Sequence, residues 1–152
     1  ISHGNWYEME IETNIQDASI GYVMLGNGDG TFKPVHARNS GFISQGNAKA
    51  LSMITLGSKN TPVIITTNNA GKSEVFTFNG GNKVIKLNPD DVYAEITLSN
   101  GKKRRTELYT GAGYLSQNTK SIVVTDEMKG ITVFNLKGES RNVLNNNLLT
   151  AK

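Results

Sequence analysis

Short segments in which apolar and polar residues alternate, each ended by glycine, asparagine or proline, run along most of this chain. The clearest lies at 91–99, where every second residue is apolar. A period of two puts alternate side chains on opposite faces of a strand, so this segment predicts a half-buried β-strand. Segment 62–67 is apolar on both sides at its centre, which predicts a central strand covered on both faces.

The same reasoning predicts a series of shorter strands along the chain. They lie at 6–11, 20–25, 31–36, 50–56, 74–78, 84–87, 102–109, 121–125, 131–136 and around 143–144. The strands from 50 to 78 form a three-stranded meander, which has exposed edges and needs neighbours. No segment predicts a convincing helix, since the one competing stretch, 47–53, is short. The chain is therefore expected to be all-β.

Glycine and asparagine mark the turns between these strands. The segment GNGDG at 26–30 and the pair NG at 100–101 are hairpin signals, and NGGN at 79–82 is the best internal boundary. We interpret the following as structural turn residues: Gly26, Gly28, Gly30, Asn100, Gly101, Gly111 and Gly113.

Composition supports the all-β interpretation. Hydrophobic residues make up 37% and charged residues 19% of the 152 residues, while glycine occurs 16 times. A helix bundle would need far more alanine, glutamate and lysine at helical spacing.

The chain has no cysteine, which excludes disulfides, a thiolate nucleophile and cysteine-ligated metals. It has no apolar run of the roughly 20 residues that a membrane helix needs, so membrane insertion is not expected.

The net charge of +3 is concentrated in one basic run, Lys102 to Arg105. Alternation sends Lys103 and Arg105 to one face of a strand and the other two residues to the opposite face. No aromatic residue is interleaved with the run, so we interpret it as a solvated hairpin tip and expect no nucleic-acid binding. A phosphate-binding patch is the alternative.

Catalytic and metal chemistry have little basis in the sequence. The GNGDG loop contains a single acid, whereas a calcium loop needs several oxygen ligands at alternating positions. The two histidines, His3 and His36, have no recognisable nucleophile or acid beside them. The acid pairs at 90–91 and 126–127 fall in turns, where solvated carboxylates are ordinary. We therefore predict no catalytic residue, no metal ligand and no cofactor.

Aromatic side chains are the better indication of a binding function. Trp6, Tyr7 and Tyr114 are the candidate ligand-binding residues, because exposed rings can stack on sugars or grip a peptide. The alternative for Tyr114 is that it folds back to anchor its own loop. Tyr22 and Tyr109 have a similar alternative, filling the margin of the core.

Two stretches of the chain resemble one family in the same order. Gly111 to Gln117, GAGYLSQ, resembles the core of the ASPIC/UnbV domain, and the second half, 90–124 followed by 130–139, is similar to the domain itself. The first half, from NWYEMEIE at 5–12 to SGF at 40–42, resembles the terminal FG-GAP (VCBS) propeller region that precedes it in the family. The family's calcium loop is not carried over, because 55–69 contains no carboxylate.

The resemblance implies an antiparallel meander derived from a terminal propeller blade (1–80), packed with a small C-terminal β-sandwich or barrel-like unit (81–152). It implies an extracellular or outer-membrane bacterial protein, with further propeller blades of the same protein upstream of Ile1, where we interpret the chain as cut from a longer one. Within GAGYLSQ, Gly111 and Gly113 are expected to form a tight corner, with Tyr114 and Leu115 against the core margin.

The leading hypothesis for function is a non-catalytic binding or assembly module that engages a protein or glycan ligand and can dimerise through an edge strand. The alternative is an accessory or catalytic domain of a glycan-processing enzyme. That alternative requires a cleft with exposed aromatics and two carboxylates drawn from Glu8, Glu10, Glu95 and Glu107.

Overall fold

The computed structural model describes residues 6–7, 12, 16–17, 19–79, 83–111, 113–114 and 116–144. Strands make up more than half of these residues, and their sheets are antiparallel, so the all-β prediction is confirmed. The predicted boundary at 79–82 falls largely on residues 80–82, outside the described residues.

Thirteen strands and one short helix occur in the described part of the chain. Strands β1 to β7 are Trp6–Tyr7, Gln16–Asp17, Val23–Gly26, Phe32–Val35, Ala48–Leu56, Thr61–Asn68 and Glu74–Thr77. Strands β8 to β13 are Lys83–Lys86, Asp91–Leu98, Lys103–Glu107, Ser121–Val124, Met128–Asn135 and Ser140–Leu144, and helix α1 is Ala37–Ser40. Most lie within two residues of the predicted segments.

The chain forms two compact units that are interleaved in sequence. The first unit consists of 1–53, 63–77 and 113–117, and the second consists of 54–62, 78–112 and 118–152. The first unit includes the GAGYLSQ residues from 113 onward, and the Ser52 hydroxyl donates to the Gln117 carbonyl at 2.6 Å within it.

The second unit is built on a four-stranded antiparallel sheet in the order β10-β9-β12-β13. Alternation along β9 sends Ala94 and Ile96 to one face, where they lie opposite Val133 and Ile131 of β12. All four side chains are essentially inaccessible to solvent. Their burial is the main favourable contribution to folding here, because apolar area removed from water stabilises by about 25 cal/mol per Å².

A two-stranded ribbon, β8 with β11, shares this core. Ile122 and Val124 of β11 are buried in the same cluster as the sheet residues, and Ile85 of β8 packs against it. Sheet and ribbon thus form a small two-layer β-sandwich, as predicted for the C-terminal part.

The first unit contains the hairpin β3–β4, residues 48–53 of β5, residues 63–68 of β6 and strand β7. The sheet order β5-β6-β7 is the predicted meander. Within the unit, the Phe42 ring contacts the Phe76 ring at a centroid distance of 4.7 Å. The buried Ser44 hydroxyl donates to a Glu74 carboxylate oxygen at 2.5 Å and lies 3.2 Å from the Thr66 hydroxyl. This network fixes the loop before β5 to strands β6 and β7.

Helix α1 was not predicted, and it lies outside 47–53, the one stretch of the sequence that competes as a helix. It is a single turn. Because the first N–H groups of a helix have no partner within it, His36 caps the turn: its Nδ1 accepts from the Arg38 N–H at 3.2 Å. Gly41 ends the turn in the left-handed conformation, at φ 68°. One turn is too short to show helical periodicity, which is why the pattern of apolar residues gives no sign of it.

Candidate functional site

The three aromatic residues predicted to bind ligand lie at two places in the first unit. Trp6 and Tyr7 form β1, which pairs with β2 in the register Trp6 to Asp17 and Tyr7 to Gln16. Their side chains lie outside the described residues. Tyr114 lies in a turn that the Ser116 N–H closes on the Gly113 carbonyl at 3.4 Å.

Tyr114 does not anchor its loop in the core. Its side chain is 77% exposed, so the expectation that it packs at the core margin is wrong. Tyr109 and Tyr22 are also exposed, at 68% and 54%, and do not fill the core margin either. Leu115, also expected to lie against the core margin, lies outside the described residues. The Gly113–Ser116 turn directs Tyr114 outward, and sequence alone does not show which way a turn faces.

The turn glycines are placed by two different requirements. Gly101 has φ 78°, a left-handed conformation that glycine adopts without strain, and the Asn100 side-chain oxygen accepts the Lys102 N–H beside it. Gly113 is instead favoured by contact, because a Cβ there would clash with the Ser116 hydroxyl unless that side chain turned away. Of the others, Gly28, Gly30 and Gly111 also have positive φ, and Gly26 ends strand β3.

The basic run 102–105 lies at the start of β10, and an aromatic residue faces it from the neighbouring strand. The Arg105 guanidinium lies 3.8 Å above the centroid of the Tyr93 ring. On the other side, the Phe134 ring stacks on Tyr93 at a centroid distance of 4.5 Å and an interplanar angle of 10°. Both faces of the Tyr93 ring are therefore covered, and it offers no platform for a base or a sugar.

Glu95 and Glu107 lie on the same outer face of the four-stranded sheet as Arg105. Arg105 is opposite Glu95, and its Nε donates to the Glu107 carboxylate at 2.6 Å. This hydrogen bond raises the pKa of Arg105 and keeps the Glu107 carboxylate paired with a cation. The other two acids of the glycan-processing alternative, Glu8 and Glu10, lie outside the described residues.

Asp91, expected to be a solvated turn residue, is fully buried, so that interpretation is wrong for Asp91 although Asp90 beside it is exposed. The Arg141 guanidinium donates to both carboxylate oxygens, at 2.6 and 2.5 Å, and the Asn88 N–H donates to one of them at 2.7 Å. Burial disfavours the charged form, but the hydrogen bonds from Arg141 and Asn88 outweigh it and lower the pKa of Asp91.

Lys120 completes this arrangement, which we call the Asp91 clasp (Asn88, Asp91, Lys120 and Arg141). The Lys120 ammonium donates to the carbonyls of Pro89 and Asp91, at 2.7 and 2.9 Å. The clasp joins the start of β9, strand β13 and the segment before β11. It was missed in the sequence because Asp91 and its partner Arg141 are 50 residues apart.

The strongest surface feature of the first unit is one face of the β3–β4 hairpin, which we call the hairpin face (Tyr22, Met24, Phe32 and Pro34). Met24 is opposite Pro34 and Gly26 is opposite Phe32, so these side chains project to one side. Met24 is 47% and Phe32 is 64% exposed. Exposed apolar side chains that share one face of a hairpin lie close to one another, so the hairpin face is a candidate interaction surface.

In the part of the chain that the structure describes, no group of three or more histidine, cysteine, aspartate or glutamate side chains is arranged to hold a metal ion. Nor does any helix there have the length and apolar character needed to cross a membrane. Comparisons with protein-family models, curated proteins and solved structures find no match to this chain.

Proposed function

We propose that this chain is a non-catalytic binding or assembly module, and that it engages another protein through the hairpin face. The observation that carries this proposal is the exposure of Tyr22, Met24 and Phe32 on one side of a two-stranded ribbon. Isolated exposed apolar residues are common, whereas several on one face indicate a surface that a partner covers.

The strand edges of the hairpin indicate what kind of partner fits. Among the described residues, β3 and β4 form a two-stranded sheet of their own, whose outer edges have no further strand beside them in that part of the chain. An extended segment of another chain can add to such an edge through backbone hydrogen bonds, while its side chains contact the apolar face. We therefore infer a protein partner that contributes an extended segment with apolar residues.

The connecting loop makes the hairpin a rigid support for this contact. The Thr31 hydroxyl and the Thr31 N–H both donate to the Asp29 carboxylate, at 2.5 and 2.9 Å, and these bonds lower the pKa of Asp29. The Asn27 N–H donates to the Thr31 carbonyl at 3.0 Å. A surface that is already ordered loses less entropy when a partner binds.

The resemblance to ASPIC/UnbV and FG-GAP (VCBS) proteins supports a setting for this module. In that setting it would serve at the surface of a bacterial cell, beside upstream propeller blades of the same protein. Those blades are a natural source of an extended segment for the hairpin face, as is a second copy of this chain.

The test is site-specific photo-cross-linking combined with sedimentation. With p-benzoylphenylalanine in place of Phe32, we expect cross-links either to a second copy in the purified protein or, in a form of the protein that carries the proposed upstream blades, to one defined segment of those blades. The same replacement at Tyr109, which is equally exposed, is the matched control and should give no defined product.

A double substitution, Met24→Ser with Phe32→Ser, should weaken the association by about tenfold or more, because it removes apolar area from the contact. A purified chain that sediments as a monomer, together with no product at position 32 beyond that at 109 in the form that carries the upstream blades, would overturn the proposal.

A further inference from the structure

A cavity in the second unit lies beside the Asp91 clasp. Its volume is about 300 Å³, the lower end of the range for small-molecule sites. The lining residues are Lys86, Leu87, Pro89, Thr110, Thr119 and Lys120. We propose that this cavity binds a small sugar acid, that is, a carboxylate that also carries several hydroxyl groups.

The walls of the cavity are held by the end of the β8–β11 ribbon. Lys86 is the last residue of β8 and is opposite Ser121, the first residue of β11. Beyond this pair, the Leu87 N–H donates to the Lys120 carbonyl at 3.0 Å, which continues the ladder by one step. The backbone on this side is therefore fixed before any ligand arrives.

Lys120 provides a cation in a defined position. Two of the three N–H groups of its ammonium are used by the carbonyls of Pro89 and Asp91. The third has no acceptor among the described residues and can donate to a ligand, and a donor that is already fixed loses little entropy on binding. Its charge makes that hydrogen bond one of the stronger type when the acceptor is an oxyanion.

The charge balance around the cavity favours an anion. The Asp91 carboxylate is already paired with Arg141 in a two-oxygen contact, and Asp90 adds a second negative charge close to Arg141. Counting the two aspartates against Arg141, Lys120 and Lys86 leaves one positive charge in excess. The excess lies with the lysines that line the cavity.

The remaining lining residues indicate the rest of the ligand. Thr110 and Thr119 line the cavity, and a threonine hydroxyl can both donate and accept, which suits a ligand with several hydroxyls. Leu87 and Pro89 offer apolar surface that fits the C–H groups of a sugar ring. A carboxylate, hydroxyls and C–H groups on a body of this size together describe a sugar acid.

The test is an NMR titration of the full chain with glucuronate, glucose and acetate. Glucose lacks the carboxylate of glucuronate, and acetate lacks the sugar body. We expect glucuronate to shift the amide signals of 86–87 and 119–121 with a dissociation constant on the order of 1 mM. Glucose and acetate should each bind at least about tenfold more weakly.

Substitutions separate the cavity from general surface charge. Lys86→Met should weaken glucuronate binding by about tenfold, whereas Lys83→Met, on the same strand but outside the cavity lining, should leave it unchanged. Lys120→Met should abolish binding, and the Lys86 variant keeps the test decisive if the loss of Lys120 unfolds the clasp.

Two outcomes would overturn the proposal: no amide shift at 86–87 and 119–121 with glucuronate, or equal affinity for acetate, which would mean a simple anion site. The proposal is independent of the hairpin face, which belongs to the first unit. Failure of either one therefore leaves the other standing.

Discussion

Asp91 shows what sequence patterns leave out about a single side chain. The sequence places it in a turn beside Asp90, and that much is correct, since the Asp91 N–H donates to the Asn88 carbonyl at 3.2 Å. Its burial depends on Arg141 and Lys120, which are distant in sequence and come near only when β13 and the segment before β11 are in place. Burial of a charge is tolerated only with such partners, so no local pattern could predict it.

Asp91→Asn should lower the free energy of unfolding by about 2 kcal/mol at neutral pH, because it removes the charge from two hydrogen bonds to a partly exposed arginine. Urea denaturation measures this loss. Asp90→Asn makes the same charge change at an exposed neighbouring position and should lower the free energy of unfolding much less. Equal losses in the two variants would contradict the structural role of Asp91.

The difference in stability between the wild-type protein and Asp91→Asn should depend on pH in a definite direction. Because the folded protein lowers the pKa of Asp91, its stabilising effect is complete above the ordinary aspartate pKa of about 3.9. The effect is lost as the pH falls through the lower pKa of the folded state. The stability gap between the wild-type protein and Asp91→Asn should therefore be constant from pH 7 to pH 5 and narrow in stronger acid.

The strands were the most predictable part of the structure, because the alternation that defines them is local. Strand β9 occupies 91–98, as its alternating residues indicate, and its partner strand β10 follows the Asn100-Gly101 turn. Strand β12 begins at Met128, three residues before the predicted start, because 128–130 pair with the end of β9 across an irregular register. Pairing to a neighbour, unlike alternation, is not visible in one segment.

The β9–β10 turn gives a direct test of hairpin geometry. Gly101→Ala should destabilise the protein by about 1 kcal/mol, because alanine at φ 78° brings its Cβ too close to the following carbonyl. Gly130→Ala is the matched control in β12, where the nearest atoms to a new Cβ lie at 3.6 and 3.9 Å and leave room for it. Thermal unfolding of the two variants measures the two effects. A greater loss of stability for Gly130→Ala than for Gly101→Ala would contradict the strain expected at residue 101.

For the molecule as a whole, the sequence predicted an all-β chain but not how the units are composed. A division at residue 80 follows the NGGN turn signal at 79–82, whereas the first unit also contains 113–117 and the second also contains 54–62. The four-stranded sheet of the second unit and the hairpin of the first should also differ in local stability. Strands β9 and β12 have a partner on each side, while β3 and β4 have one each.

Hydrogen exchange should reveal this difference in the purified monomer. We expect the amides of 91–98 and 131–135 to exchange most slowly, because both strands are central and line the buried core. The amides of 23–26 and 32–35 should exchange much faster and gain protection only when a partner adds to the hairpin. Protection of 23–26 equal to that of 91–98 in a monomer would contradict this expectation.

The return of 113–117 to the first unit has a consequence for how the protein is made. During synthesis, residues 1–77 leave the ribosome before the segment that carries Gln117, whose carbonyl accepts the Ser52 hydroxyl. The first unit therefore cannot complete its contacts until much of the second has also been translated. A newly made chain therefore has an incomplete first unit, with its hairpin face exposed, until residues 113–117 have been translated.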